Sequence, residues 1–473
     1  MNDSSFGALN LIVLFIYLIG MITVGFIFST RTKNKDDFLL GGRKLPWLAV
    51  GMSMYASVTS AVTFMGLPAT AYAENISLIG VSLASLLVAP LILKLFYPLY
   101  HAQRVTTSYE YIKMRYGTSS ERMVSTLFVL GRLGWLGTVI YAPALVLTHI
   151  TGLDLTTSIV LMGLIATLYT FLGGLAAVVW TDVIQFILLL TGMIWVAISL
   201  TGTVEGGMSA ILELGKASGR FDVLEWPPSL FHLSLPLVGL SFFLQLMQEY
   251  GTDQVTVQRM MATGSQQKTL KAILFNAIVD LITISTLLYI GLGLWAVFPT
   301  LPEGIQPDGL LPYYILAHLP NGVSGLVITA IFAAAMSSVD SGINALSSVC
   351  VTNFKRVKHP LKSARMLTLI FGITATLLAF YVSTIGGLIK AFTSFMSLFS
   401  APVLALFLLG ICSKRASLGG WLIGTAGSVG VSVWLQHGLE AHWVYYFPAS
   451  FITVFALGYI GSLILFDYKN RIS

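Results

Sequence analysis

The residues most able to do chemistry in this sequence lie in an apolar stretch of membrane-spanning length, residues 332–348. That stretch holds one acid, Asp340, and five serines: Ser337, Ser338, Ser341, Ser347 and Ser348. A carboxylate inside a bilayer is costly and normally marks an ion path, a proton relay or a substrate contact. On a helix the first three serines share one face with Ala334, because these positions are three or four residues apart. Oxygen ligands on one face favour a small, hard cation.

A second acid, Asp182, follows Trp180 and Thr181 near the inner end of another apolar stretch. The topology derived below places Asp182 and Asp340 at similar depth. Two nearby carboxylates repel each other unless a cation or a shared proton compensates, which favours a bound cation between them. The alternatives are that Asp182 caps a helix and that the serines only allow close helix packing. Asp340 favours ion binding, because packing does not require a carboxylate.

Arg132 is the only arginine well inside a predicted membrane span. Two interpretations have equal weight: it clamps a substrate carboxylate bidentately, or it pairs with an acid such as Asp253 or extends toward the interface. Asp280 and Lys390 are isolated, and a pairing or edge role is favoured for both. The seven histidines have no metal-ligand spacing, so no metal centre built on histidine is predicted.

The composition identifies a polytopic membrane protein. The 473 residues are 56% hydrophobic and 10% charged, with a mean hydropathy of +0.84, whereas soluble domains carry about 25% charge. Thirteen apolar runs are each long enough to cross a hydrocarbon core. They cover residues 6–28, 47–72, 77–100, 121–150, 154–173, 176–201, 233–262, 266–298, 322–354, 363–384, 386–411, 415–437 and 442–467.

The basic residues predict the orientation. With the N-terminus outside and the C-terminus inside, 21 of the 26 Lys and Arg residues fall in cytoplasmic segments, as the positive-inside rule requires. The formal net charge of +6 is therefore a topology signal, and nucleic acid is not expected as a partner. A multi-pass protein of the cell membrane is predicted, with an odd number of spans.

Ten of the thirteen spans divide into two sets of five, within a single transporter domain covering residues 1–473. The sets are residues 47–201 and 233–411, preceded by an extra helix at 6–28 and followed by two helices at 415–467. Because five is odd, the two sets enter the membrane from opposite sides, as in the inverted repeats of secondary transporters. Ser, Thr, Gly and Pro crowd residues 51–68, which predicts a broken second span with exposed carbonyls. Gly251 and Thr252 predict a matching break in the seventh.

Several motifs occur in an order that resembles the solute:sodium symporter family, from the first helix to the last. The likeness extends to the bacterial sodium-coupled sialic acid branch of that family. It implies an all-α fold of the leucine-transporter type, with one extra helix before the ten-helix core and two after it. The motifs are Asp37 to Trp47, Gly173-Gly174 to Gln185, Asp253-Gln254 to Gln258-Arg259, and Ala334 with Ser337, Ser338 and Ser341.

The resemblance also implies sodium ligands, for one or two ions. The first site would use backbone oxygens of Ala56, Thr59 and Ala334 with the hydroxyls of Ser337 and Ser338. A second site, present in only some members, would use Asp182, Ser337, Asp340 and Ser341. This chain has Asp340 where the sialic acid branch has a serine, so the number of ions carried per solute stays open.

The solute pocket departs further from the sialic acid branch. That branch has a glutamine on the third helix and an arginine on the fourth, and the matching positions here are Val81 or Ser82, and Trp135 or Leu136. The glutamate of the sugar-transporting branch is also missing. The predicted pocket is lined by Val58, Ser60, Thr63, Val81, Ser82, Arg132, Trp135, Asp253 and Ser394.

The function that these features favour is sodium-driven import of a small organic solute by alternating access, without enzymatic activity. A sialic acid or another small carboxylate or sugar acid is the first expectation for the solute, and a neutral sugar or other solute is the alternative. From a different class, a receptor that binds a solute without moving it stays open, whereas a channel is disfavoured because no ring of pore segments occurs. The expected partners are the solute, sodium and the lipid bilayer, with the monomer as the working unit.

Overall fold

The computed structural model describes residues 7–29, 40–103, 105–171, 175–224, 229–353 and 360–472, and within these ranges it contains helices and no strand. Residues 37–39 of the first motif, and Gly173 with Gly174 of the second, lie outside the described residues.

The helices of the first half form the extra N-terminal segment and the first predicted repeat. They are α1 (Ala8–Ser29), α2 (Trp47–Val58), α3 (Ala61–Ala73), α4 (Gly80–Leu91), α5 (Tyr97–Gln103), α6 (Glu110–Tyr116), α7 (Thr118–Thr151), α8 (Leu155–Thr170) and α9 (Leu175–Thr203). A π-helical segment at Ile92–Phe96 joins α4 to α5.

The helices of the second half follow in chain order. They are α10 (Gly207–Ala217), α11 (Leu235–Gly251), α12 (Gln254–Ala262), α13 (Gln266–Val297), α14 (Pro307–His318), α15 (Val323–Asn353), α16 (Pro360–Val382), α17 (Leu388–Phe395), α18 (Ala401–Cys412), α19 (Leu418–Val433) and α20 (Tyr446–Ile472). A π-helical segment at Met396–Ser400 joins α17 to α18.

Helices lie in each of the thirteen predicted ranges, but the exact count of thirteen spans is not confirmed. Among the described residues, nine helices are long and apolar enough to cross a membrane, and the bent pair α2 and α3 makes ten. Two further apolar stretches, Ala8–Val24 and Leu155–Leu168, are shorter. The helices α11 and α12 are separated by a break, so neither reaches full length alone.

Both predicted breaks are present. The helices α2 and α3 meet at 58°, because Thr59 and Ser60 have extended backbone between them. The helix α11 ends at Gly251, and α12 restarts after Asp253, whose carboxylate accepts the Val255 N–H at 2.8 Å. A broken helix leaves unpaired carbonyls at one end and unpaired N–H groups at the other. Both breaks therefore expose backbone polar groups inside the bundle.

The helix α15 is the centre of the bundle, with 94% of its most apolar window buried. It packs against α2, α7 and α9. Small residues allow close approach: a Cβ built on Gly192 of α9 would lie 2.8 Å from the Cβ of Ala330. The serine-rich sequence of α15 is therefore enclosed by other helices and not by lipid, which removes most of the cost of its polar groups.

Candidate functional site

The carboxylate of Asp182 joins four helices. It lies fully buried on α9. One oxygen, Oδ2, accepts from the Ser53 hydroxyl at 2.5 Å and from Nη2 of Arg259 at 3.1 Å. The other, Oδ1, accepts from the Ser337 hydroxyl at 2.5 Å. The predicted contact between Asp182 and the serines of α15 is therefore present, at Ser337. Ser53 and Arg259 are additional partners of the carboxylate.

Arg259 is the counter-charge that sequence reasoning missed. Its guanidinium donates from Nε to Ser53 at 2.7 Å and from Nη1 to the Val255 carbonyl at 3.1 Å. Nη2 also donates to Ser341. The predicted cation between the two acids leaves out Arg259, which is one of the 21 basic residues assigned to cytoplasmic segments. Its complete burial shows that Arg259 instead lies inside the bundle, paired with Asp182.

The serine face of α15 lies against the break in the second span. The Ser338 hydroxyl donates to the Ser57 carbonyl at 3.2 Å, and the hydroxyls of Ser57 and Ser341 are 2.8 Å apart. Ser57 is in the last turn of α2, where carbonyls lack partners within their own helix. Ala56, Thr59 and Ala334, which complete the predicted first site, are buried in this same part of the bundle.

Asp340 faces a different helix from the one that carries Asp182. Its Oδ1 accepts from the hydroxyl of Thr170, at the end of α8. Of the predicted second-site set, Asp182 and Ser337 are in direct contact, and Ser341 is linked to Asp182 through Arg259. Asp340 remains close enough for its charge to act on Arg259 and on the Tyr17 hydroxyl, so it lies beside the Asp182 cluster.

Arg132 has two acidic partners. It forms a salt bridge with Asp253 and a second, longer one with Glu249 at 3.4 Å. Its guanidinium also lies over the Trp135 ring, 4.4 Å from the centroid, a cation–π contact. Of the two interpretations of Arg132, the pairing with Asp253 is present. This network holds α7 against the break between α11 and α12.

The remaining predicted pocket residues are spread over several helices. Val58 and Ser60 flank the break in the second span, and Ser60 accepts the Val62 N–H at 3.1 Å. Ser82 donates to the main-chain oxygen of Asp280 at 3.5 Å, and Ser394 donates to a carbonyl of its own helix. Thr63 and Val81 are half-buried.

A cavity of about 570 Å³ opens beside α12, lined by Arg43, Tyr97, His101, Thr106, Met260, Met261 and Gly264. It contains none of the predicted pocket residues.

The donor set around Asp182 and Ser338 fits sodium better than a transition metal. It consists of hydroxyl, carboxylate and carbonyl oxygens, the ligands that hard cations prefer. Within the described ranges, no group of three or more His, Cys, Asp or Glu side chains is placed to hold a metal ion.

Comparison with known proteins gives a consistent result. The model of the sodium:solute symporter family matches residues 38–427. The sodium/sialic acid symporter SiaT of Proteus mirabilis is 32% identical over 463 residues, covering 94% of this chain and 93% of that protein. The human sodium-coupled monocarboxylate transporter 2 is 31% identical, covering 90% of this chain and 71% of that protein.

A solved structure has the same fold over nearly the whole chain. It is a Na⁺-coupled sialic acid symporter in a substrate-bound, outward-open state, with a TM-score of 0.88 and 30% sequence identity. The match covers 97% of this chain and 98% of the other. The predicted leucine-transporter type of fold is thereby confirmed.

Proposed function

This chain belongs to the sodium:solute symporter family and is a sodium-coupled symporter, and from that premise we propose that it imports a small carboxylate, with sialic acid as the first candidate. The relatives named above support a carboxylate, since sialic acids and monocarboxylates both carry one. The observation on which the coupling depends is the contact between the serines of α15 and the broken second span.

The first sodium ion is proposed to bind between α2 and α15. Its ligands would be the carbonyls of Ala56, Thr59 and Ala334 with the hydroxyls of Ser337 and Ser338. The geometry supports this, because Ser338 already donates to a carbonyl in the last turn of α2. A sodium ion at that point would be stabilised by unpaired helix-end carbonyls, which the broken helix supplies.

The second sodium ion is proposed to bind at Asp182, Ser337, Asp340 and Ser341. In the present arrangement Arg259 already neutralises Asp182. The ion would therefore have to displace the guanidinium from Asp182 or share the carboxylate with it. Since Asp340 hydrogen bonds to Thr170, its rotation toward Asp182 would accompany ion binding.

Sodium drives transport because its affinity differs between the two conformations of the alternating-access cycle. A ligand shifts a conformational equilibrium only if it binds one state more tightly. Since the first site is shared between α2 and α15, any movement that separates them removes ligands and releases the ion. At about 100 mV each inward sodium contributes about 2.3 kcal/mol, which supports substantial accumulation of the solute.

The solute is proposed to bind near the two breaks, among the predicted pocket residues. A specific observation favours a second candidate, a solute without a carboxylate. The charge of Arg132 is neutralised by Asp253 and Glu249, and Trp135 occupies one of the two positions that match the arginine of the sialic acid branch. A neutral sugar or a related solute is therefore the alternative.

The predicted topology and organisation complete the proposal. The two five-helix repeats would cover residues 47–201 and 233–411, and the breaks in the first helix of each set support this division. The N-terminus would lie outside and the C-terminus in the cytoplasm of the cell, with the monomer embedded in the plasma membrane. The solute would cross unchanged, without enzymatic chemistry.

Uptake into proteoliposomes tests the proposal. The purified protein should accumulate N-acetylneuraminate, a short monocarboxylate or a neutral sugar when sodium is higher outside, and not when potassium replaces sodium. A protein that binds solute but shows no sodium-driven accumulation of any of these would be a receptor, and the transport proposal would be wrong.

A further inference from the structure

Residues 105–108 form a short segment between α5 and α6 at the end of the bundle that the predicted topology places in the cytoplasm. Connecting segments usually run over the surface of a protein. In this one, the side chains of Thr107 and Ser108 are fully buried. Buried backbone groups need hydrogen-bond partners, and the partners of this segment lie on several other helices.

Gln254, at the start of α12, holds the 105–108 segment by its backbone. The amide nitrogen of Gln254 donates to the Thr106 carbonyl at 3.0 Å, and its amide oxygen accepts the Ser108 N–H at 3.0 Å. The Ser108 hydroxyl in turn donates to the Thr252 carbonyl at 2.9 Å. The side chain of Gln254 is fully buried. The segment is therefore fixed to the break between α11 and α12.

The same segment is fastened to two further elements. The Thr107 hydroxyl donates to Oδ1 of Asn353, at the end of α15, at 3.2 Å. Asn353 also donates to the Ser125 hydroxyl of α7 at 2.9 Å. Nη2 of Arg43, which precedes α2, donates to the Val105 carbonyl at 3.3 Å. The segment thus connects the second break to α15 and to the chain just before α2, the two helices between which the first sodium ion is proposed to bind.

A cavity lies on the other side of the 105–108 segment. It has a volume of about 570 Å³, and its lining includes Thr106 from the segment with Met260 and Met261 from α12. Thr107 and Ser108 bond instead toward α15 and the second break. The segment therefore lies between the break, near which the solute is proposed to bind, and a space of the size that holds small molecules.

We propose that the 105–108 segment is the inner gate of the solute path, that Gln254 holds this gate closed, and that the cavity is the vestibule through which the solute leaves. The inference rests on the proposed import of a solute, and it gives Gln254 a positioning role without contact to sodium or solute. The bonds of Gln254 join neutral groups, and water can replace both partners at little net cost. The gate can therefore open and close in each transport cycle.

Labelling of an engineered thiol tests the gate. Thr252→Cys places a thiol at a fully buried position of the break, in a full-length chain whose Cys350 and Cys412 are replaced by serine. A charged, membrane-impermeant methanethiosulfonate reagent is added to either side of vesicles in sodium buffer. Gln254→Met removes both amide bonds at similar side-chain size, so labelling should become about 10- to 100-fold faster, from the cytoplasmic side only. An unchanged rate, or an equal increase from both sides, would overturn the proposal.

Two further variants separate gate opening from a general loosening of the fold. Gln245→Met is the matched control, because Gln245 is also buried and its amide donates to Ser241 of its own helix at 2.9 Å. The control should be labelled at the parent rate. Ser108→Ala removes one bond of the gate and should speed labelling by up to about tenfold. If Gln245→Met speeds labelling as much as Gln254→Met does, the role assigned to Gln254 is wrong.

A thiol at Thr106 tests the vestibule. Thr106 lines the cavity, so Thr106→Cys should be labelled readily from the cytoplasmic side, at a rate that Gln254→Met leaves unchanged. Absence of labelling from the cytoplasmic side, or labelling from the outer side, would show that the cavity is not the exit.

Uptake measurements distinguish failure of this inference from failure of the proposed function. Labelling requires no solute. Faster labelling of Gln254→Met in a protein that accumulates none of the proposed solutes would support the gate and count against those solutes alone. Unchanged labelling in a protein that accumulates one of them with sodium would overturn the gate and leave the proposed function standing.

Discussion

Arg259→Gln is the substitution that best tests whether sodium binds at Asp182. In the parent protein the guanidinium bonds to the carboxylate at 3.1 Å, and both side chains are fully buried. Glutamine keeps a polar side chain but removes the charge. The carboxylate of Asp182 would then keep the hydroxyls of Ser53 and Ser337 and lose its only described salt-bridge partner.

The expected magnitude follows from the burial of the pair. Removing one member of a buried ion pair costs about 3–5 kcal/mol, because the other charge is left uncompensated. A sodium ion bound at Asp182 would replace the missing charge. At a sodium concentration of about 100 times the dissociation constant, binding contributes about 2.7 kcal/mol to the folded state. Sodium should therefore recover more than half of the stability that the variant loses.

The assay is thermal unfolding of the purified protein in matched sodium and potassium buffers at constant ionic strength. Arg259→Gln should be strongly destabilised in potassium and much less in sodium, whereas the parent should differ less between the two salts. Arg220→Gln is the matched control, since Arg220 is also buried but contacts the Tyr72 carbonyl and the Trp295 ring. It should lose equal stability in both buffers.

One result would refute this reasoning. If Arg259→Gln unfolds at the same temperature in sodium and potassium, no sodium ion replaces the guanidinium at Asp182. The proposed second site would then be a structural salt bridge, and coupling would depend on the first site alone.

Three further predictions concern the first site, Asp340 and the outer loop. Ser338→Ala should leave folding and membrane insertion intact. It should raise the sodium concentration for half-maximal uptake at least about tenfold, as expected from one lost ligand. If uptake by the variant saturates with sodium as in the parent, Ser338 is not a sodium ligand. Asp340→Ser should change the ratio of sodium to solute measured from paired ²²Na⁺ and solute fluxes, and an unchanged ratio would make Asp340 structural. Burial raises the pKa of Asp308, although the Leu388 N–H that it accepts at 3.0 Å opposes the shift. The folded protein therefore holds a proton that the unfolded chain releases, so this stability is present at low pH and lost as the pH rises through the raised pKa. In Asp308→Asn the free energy of unfolding should depend less on pH across this acid range. An unchanged pH dependence would assign it to other groups.

The sequence alone determined the class of fold and the positions of both breaks. Apolar runs of about 20 residues are a local property, because each must cover the hydrocarbon core by itself. The breaks were also predictable, since Gly, Ser, Thr and Pro act on the backbone at their own positions. The serine face of α15 followed from helical periodicity, which brings Ser337, Ser338 and Ser341 to one side.

Only the tertiary structure decided which charges meet. Arg259 lies 77 residues from Asp182, and although it falls in the apolar run 233–262 and ends one of the motifs, nothing in the sequence pairs it with Asp182. Asp340 and Asp182 have similar predicted depth, yet the rotation of their helices gives them different partners. Asp280 looked isolated for the same reason: its hydrogen-bond partner Ser85 is on another helix. Span length and periodicity are set within one helix, whereas charge pairing depends on the rotation and packing of several helices together.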